Sequence, residues 1–170
     1  MHYGSIKDCD IANGPGVRVS LFVSGCTNHC EGCFQPQTWD FNYGSEYSSE
    51  TEDYLIELVS KDYIRGISVL GGDPMEPENQ KGLINLLKRI RKELPDKDIW
   101  VYTGYTYEML KDRYPRCTVT DDLLSCIDVL VDGRFILAQK DLRLRFRGSR
   151  NQRLIDMNET RRTGEIVLWS

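Results

Sequence analysis

The sequence predicts an α/β protein built as an open, partial β/α barrel, and three observations carry that prediction. Short apolar runs of strand length recur at 17–23, 67–70, 99–102 and 127–131. Segments with helical spacing separate them, and strands alternating with helices imply parallel pairing. About four such strands fall short of the eight that close a barrel. A chain of 170 residues has room for one core that buries roughly 70 % of its unfolded surface. A single domain over 1–170 is therefore expected, with its core at about 13–135 and a basic C-terminal extension at about 136–170.

The first strand places Val17, Val19, Leu21 and Val23 on one face by strict alternation and runs straight into Gly25 and Cys26. After a loop rich in Gly, Gln and aromatic residues, Ser49 or Thr51 is positioned to cap a helix carrying Tyr54, Leu55, Leu58 and Val59, which Gly66 ends. The run 67–70 is the second strand, followed by Gly71-Gly-Asp-Pro74. Leu83, Leu86, Leu87, Ile90 and Leu94 then lie at helical spacing up to Pro95. The unit repeats more weakly as a strand at 99–102, a short helix at 107–114, a helical turn at 121–126 and a last strand at 127–131. Beyond it Arg134, Lys140, Arg143, Arg145, Arg147, Arg150 and Arg153 make the chain locally basic. That run reads either as a solvated face or as a docking surface for an acidic partner segment.

Overall the chain is mildly acidic, with 26 acidic against 22 basic side chains. That balance argues against general affinity for nucleic acid or anionic membranes and favours a small molecule or a protein as partner. The N-terminal segment has no apolar run of signal-peptide length, and nothing later approaches the roughly 20 apolar residues that span a bilayer. A cytoplasmic location is expected, and there cysteines are read first as reduced thiols or metal ligands.

Of the six cysteines, Cys26, Cys30 and Cys33 form a C-x3-C-x2-C cluster directly after the first strand. Three converging thiolates bind a metal centre. A four-iron cube held by three of them keeps one iron open for an exogenous ligand, much as a catalytic zinc keeps an open position. A structural zinc site made with His29 is the alternative, although zinc signatures usually pair C-x2-C with a second distant pair. His29 otherwise reads as a loop residue or a hydrogen-bond donor near the cluster. Cys9, Cys117 and Cys126 lack metal spacing and read as small, mostly buried side chains.

The cysteine motif at the end of a first strand resembles that of the radical S-adenosylmethionine (SAM) superfamily. The resemblance implies a [4Fe–4S] cluster on Cys26, Cys30 and Cys33, with SAM chelating the open iron and cleaved reductively to a 5′-deoxyadenosyl radical. Gly32, Cys33 and Phe34 would border the cofactor. Where the superfamily commonly has an aromatic residue directly after the middle cysteine, which helps hold adenine, this chain has Glu31, with Phe34 as the candidate substitute. Gly71-Gly-Asp-Pro74 is good turn chemistry by itself. It resembles the superfamily's GGE/D-P segment, which implies that Gly71, Gly72 and Asp73 meet the SAM amino group.

Asn13-Gly-Pro-Gly-Val-Arg18 reads as a tight turn into the first strand and is similar to a D-G-P-G-x-R segment of glycyl-radical activating enzymes. Trp100-Val-Tyr-Thr-Gly-Tyr105 resembles their W-x-Y-T-G-Y stretch. That likeness turns Thr103 and Gly104 toward the cofactor, while Trp100 and Tyr102 read as a buried aromatic strand. Asp132-Gly-Arg-Phe135 and Phe146-Arg-Gly-Ser-Arg-Asn-Gln-Arg153 resemble segments of the activating proteins of anaerobic ribonucleoside-triphosphate reductase. The resemblance spans about 13–153. It implies a glycine-bearing loop of the reductase large subunit as target and a flavodoxin- or ferredoxin-type electron donor. No protein acid or base is implied beyond the cluster, and none is apparent in the sequence. The alternatives are an activase of another glycyl-radical enzyme of the pyruvate formate-lyase type, a small-molecule radical SAM enzyme, and a zinc-stabilised interaction module.

Overall fold

A computed structural model describes all residues, 1–170. The strands are β1 (His2–Asp10), β2 (Arg18–Val23), β3 (Ser45–Glu46), β4 (Gly66–Gly71), β5 (Asp98–Tyr102), β6 (Val129–Asp132) and β7 (Arg153–Asp156). The helices are α1 (Ser49–Val59), α2 (Pro77–Glu93), α3 (Tyr107–Asp112), α4 (Thr120–Ser125) and α5 (Met157–Thr163), with 3-10 turns at Pro36–Trp39 and Leu137–Gln139.

The seven strands make one open mixed sheet in the order β3-β1-β2-β4-β5-β6-β7. The four expected strands pair in parallel as β2-β4-β5-β6. The antiparallel additions at both flanks were not expected: β1 and β3 on one side, β7 on the other. His2–Asp10 carries Gly4, Lys7, Asp8 and Asp10 among its residues. Its side chains are mostly half-buried or exposed, so it lacks the apolar alternation that marks a strand.

Alternation along the central strands divides their side chains between two faces. Val19, Leu21, Val23, Ile67, Val69, Ile99, Val101, Leu130 and Ile155 point to one side, where Leu55 and Val59 of α1 and Leu83, Leu86, Leu87 and Ile90 of α2 close over them. Leu110, Leu123, Leu124 and Met157 of α3, α4 and α5 complete the same core. The opposite face holds only a small apolar group, Trp100, Val129 and Val131, with Tyr102, Phe146, Leu154 and Trp169 against it. That face stays open.

Local chemistry sets the helix boundaries. The cap of α1 is Ser48, one residue before the expected Ser49. Its hydroxyl accepts from the Thr51 amide at 3.2 Å, and the Thr51 hydroxyl accepts from the Ser48 amide at 3.3 Å. Pro77 begins α2, and Leu94, expected within it, is the residue that caps its end. No helix is long and apolar enough to cross a membrane.

Candidate functional site

Everything expected to carry chemistry gathers at the carboxyl ends of β2, β4 and β5, on the open face of the sheet. There a cavity of about 530 Å³ is lined by Cys26, Cys30, Cys33, Phe34, Gly71, Gly72, Asp73 and Thr103. Gly32 is the exception among the expected residues. It turns outward with a positive φ of 78°, and a Cβ placed there would meet Leu137 Cδ1 at 2.8 Å.

The cluster loop leaves β2 and is tied back to it by the 3-10 turn that follows. The Gly25 amide donates to the Thr38 carbonyl at 2.7 Å and the Cys26 amide to the Trp39 carbonyl at 3.3 Å. Inside the loop the Cys33 amide donates to the Cys30 carbonyl at 3.1 Å. His29 stacks on Trp39 with ring centroids 4.4 Å apart, so its ring is occupied in packing. No three His, Cys, Asp or Glu side chains meet closely enough to ligate one ion. Cys26, Cys30 and Cys33 all line the cavity, where a cube could take each thiolate on a different iron.

Gly71 and Gly72 press against this loop more than against open space. The Gly72 amide donates to Val23 O at 2.7 Å and the Asp73 amide to Gly25 O at 2.8 Å. A Cβ on Gly72 would lie 2.6 Å from Gly25 O and 2.9 Å from Thr38 O, both backbone, so only glycine permits the approach. The side chain of Asn79 donates to Ser24 O at 3.0 Å and to Asp73 O at 2.9 Å, closing the seam.

The Asp73 carboxylate is itself buried and satisfied by protein. It accepts from the Met75 and Gly104 amides and from Asn28 Nδ2, each at 2.9 Å. Burial pushes its carboxyl up to about 7 against the pull of those amides. Burial also pushes the Cys26 thiol up to about 11, with the Asp73 charge adding to the effect. A thiol so placed becomes a thiolate when a cation binds it, as coordinating thiols do. Thr103 is buried beside this group, its hydroxyl accepting from the Tyr105 amide at 3.1 Å.

Several cavity residues were not among the expected site residues, although four of them lie within the motifs that resemble the family's. Lys7 of β1, Phe22, Tyr102, Phe135, Phe146 and Gln152 line it too. Tyr102, read from sequence only as part of a buried strand, has a hydroxyl shut off from water with no hydrogen-bond partner. Buried hydroxyls normally have one, so this cavity fits a ligand that brings polar atoms. Alternation from Trp100 could have placed Tyr102 on the open face. Trp100 itself is buried, as expected.

The remaining motifs are largely structural. Arg18 is fully buried: it pairs with Asp98 at 2.6 Å and donates to Ser68 Oγ at 2.8 Å and to Pro15 O at 3.1 Å. The turn at 13–16 thereby hangs on the sheet. Gln152 accepts from the Gly148 and Ser149 amides and donates to Gly133 O at 3.1 Å, while Asn151 donates to Arg134 O at 2.7 Å. Arg153 pairs with Asp132 and Glu108, both at 2.6 Å. The basic segment therefore knits itself to the end of β6 and forms one lip of the cavity. Arg147 is spent on Gln152 O and Arg143 on Asp141. Arg150 has no carboxylate partner. Phe34, 68 % exposed, and Leu142, 85 % exposed, stand at the rim. Of the three cysteines without metal spacing, Cys126 is buried and Cys117 half-buried, but Cys9 is exposed on β1, contrary to the expectation of burial.

A family model described as a 4Fe-4S single cluster domain matches residues 12–155. Over 154 residues the chain is 46% identical to an anaerobic ribonucleoside-triphosphate reductase-activating protein of Vibrio cholerae, covering 89% of this chain and 96% of that one. The chain belongs to this family of activating proteins. A member from Enterobacteria phage T4 is 40% identical over 156 residues, covering 91% of this chain and 93% of its own. One from Escherichia coli K12 is 42% identical over 154 residues, with 89% and 96% covered. The family match begins before the cluster loop and ends within β7, so it takes in the whole of the parallel sheet and the basic lip of the cavity.

Proposed function

We propose that this chain is a radical SAM activase that installs a glycyl radical on an anaerobic ribonucleoside-triphosphate reductase. The observation that carries the reading is the meeting of Cys26, Cys30 and Cys33 with Gly71, Gly72 and Asp73 around one cavity at the carboxyl ends of parallel strands. Ligands bind at that end of open parallel sheets as a rule. The open sheet is accordingly read as a small, incomplete barrel of the radical SAM type, formed by one domain.

A [4Fe–4S] cluster with bound SAM would supply the one-electron cleavage whose radical takes a hydrogen atom from the target glycine. The residues of the chain bind and orient. Cys26, Cys30 and Cys33 would hold three irons. The Gly71–Asp73 turn braces the cluster loop, and Tyr102 and Thr103, at the end of the neighbouring strand, continue the cavity wall beside it. Phe34 and Leu142 at the rim, with the Lys140 ammonium 5.2 Å from the Phe34 ring centroid, would receive the glycine-bearing loop of the reductase large subunit. Such a mix of exposed apolar and basic residues suits a protein partner. A flavodoxin- or ferredoxin-type protein would deliver the electron, in a cytoplasmic setting that keeps the thiols reduced.

The experiment is anaerobic reconstitution followed by electron paramagnetic resonance. Reduced protein should change its spectrum on adding SAM, and a glycyl radical signal should form only when the reductase is also present. SAM cleavage without radical transfer to the reductase would remove the partner assignment. A preparation without inorganic sulfide would remove the cluster itself.

A further inference from the structure

Glu76 is 1 % exposed and pairs with no Lys, Arg or His. It stands at the N-terminal cap of α2, yet its carboxylate caps nothing there. It turns instead to the residue that follows Cys26. Its Oε1 accepts from the Thr27 amide at 3.0 Å, from the Thr27 hydroxyl at 2.8 Å and from the Tyr105 hydroxyl at 2.8 Å. The Tyr114 hydroxyl reaches Oε2 at 3.3 Å, and the Thr27 and Tyr105 hydroxyls lie 3.0 Å apart. Three residues upstream, Asp73 accepts from the side chain of Asn28. Two buried carboxylates from one turn thus hold two consecutive residues of the cluster loop.

Burying a carboxylate without a cation is costly, and hydrogen bonds must offset it. Here one side chain draws on an amide and three hydroxyls, all belonging to the loop and its neighbours, so the loop has one conformation that satisfies the charge. A fixed negative charge near a cluster also disfavours adding an electron to it, since cluster potential follows local charge, hydrogen bonding and exposure.

We propose that Glu76 is a positioning residue for the cluster: it clamps Thr27 so that Cys26 faces the cavity, and its uncompensated charge holds the bound cluster at a low potential. This rests on the iron–sulfur reading above. Glu76 touches neither the cavity nor the reacting atoms.

The test uses the full chain, purified anaerobically with its cluster, and two substitutions that separate clamp from charge. Glu76→Gln keeps the shape and removes the charge; iron and sulfide per chain should stay near those of the unsubstituted protein, while the midpoint potential becomes less negative. Thr27→Val keeps the charge and removes one donor. Its potential should not move, but a chelator should strip its iron roughly ten- to a hundredfold faster, as expected for losing one hydrogen bond to a charged group. An unchanged potential in folded Glu76→Gln, or an unchanged stripping rate in Thr27→Val, overturns the proposal. Should Glu76→Gln fail to fold, the stripping rate of Thr27→Val decides alone. If the unsubstituted protein holds no cluster, the underlying reading fails instead, and the two failures are thereby told apart.

Discussion

The two faces of the sheet are built by opposite rules. On the helix-covered face every central strand contributes Val, Ile or Leu, and α1 to α5 close over them until nothing is left exposed. On the other face the same strands contribute Arg18, Ser20, Phe22, Ser68, Trp100 and Tyr102, and no helix covers them. The closed face gains its stability from area removed from water. The open face is held by directional bonds, such as Arg18 to Asp98 and Ser68, Ser20 to Asp10 at 2.6 Å, and the Asp73 and Glu76 carboxylates to the cluster loop. The difference teaches that the fold can stand on one face while the other is given over to binding, and substitutions on the two sides should fail in different ways.

The sharpest separation is expected at Cys30. Cys30→Ser removes one of three thiolates and should abolish both the absorbance of a bound cluster near 400 nm and SAM cleavage. Because Cys30 lies in a loop outside the main core, the thermal midpoint of the metal-free protein should stay nearly unchanged. An anaerobic preparation of the variant that still cleaves SAM would show that the ligand set is wrong.

Leu87→Ala tests the other side. Leu87 is fully buried between α2 and the sheet, and truncating such a leucine costs about 2–5 kcal/mol. The denaturant midpoint should fall accordingly, while protein that remains folded should bind iron and SAM as before. Loss of the cluster at temperatures where the variant is still folded would mean that the two faces are coupled after all.

These two substitutions also mark what was legible in the sequence. The closed face announces itself, because Val17 to Val23 alternate and Leu83 to Ile90 recur at helical spacing, and burial on one side is what produces those periods. The cysteines were legible by spacing alone. The antiparallel flanks were not: β1 and β7 bury few apolar side chains and take their conformation from pairing with β2 and β6. Nor did spacing reveal Glu76 or Asn28, whose roles depend on contacts across tens of residues. Asp73 was legible as a site residue, but its carboxylate turns out to be engaged by Asn28, Met75 and Gly104.

Gly72→Ala lies at the seam between the two regimes. Its new Cβ would press on backbone at 2.6 Å, and backbone cannot swing aside as a side chain does. Overpacking of this kind costs typically about 1–3 kcal/mol. The strain would be relieved by parting the 71–73 loop from the cluster loop, so the KM for SAM should rise more than the stability falls. A variant destabilised with an unchanged KM would show that this seam supports the fold alone.

The smallest effect, and the one with a change of sign, is expected at Tyr102. Its hydroxyl is buried with no hydrogen-bond partner in the protein, and burying an unsatisfied polar group costs about 1–3 kcal/mol. Tyr102→Phe removes that penalty with almost no change of shape, so the metal-free protein should melt at the same temperature or slightly higher. If the hydroxyl waits for a polar atom of the bound ligand, the same substitution should weaken SAM binding to the reconstituted protein by a few-fold. The closed face offers no such position, since truncating any of its side chains loses stability with nothing gained. A Phe variant that is less stable and binds SAM as before would mean that Tyr102 belongs to the packing of Trp100 and not to the cavity.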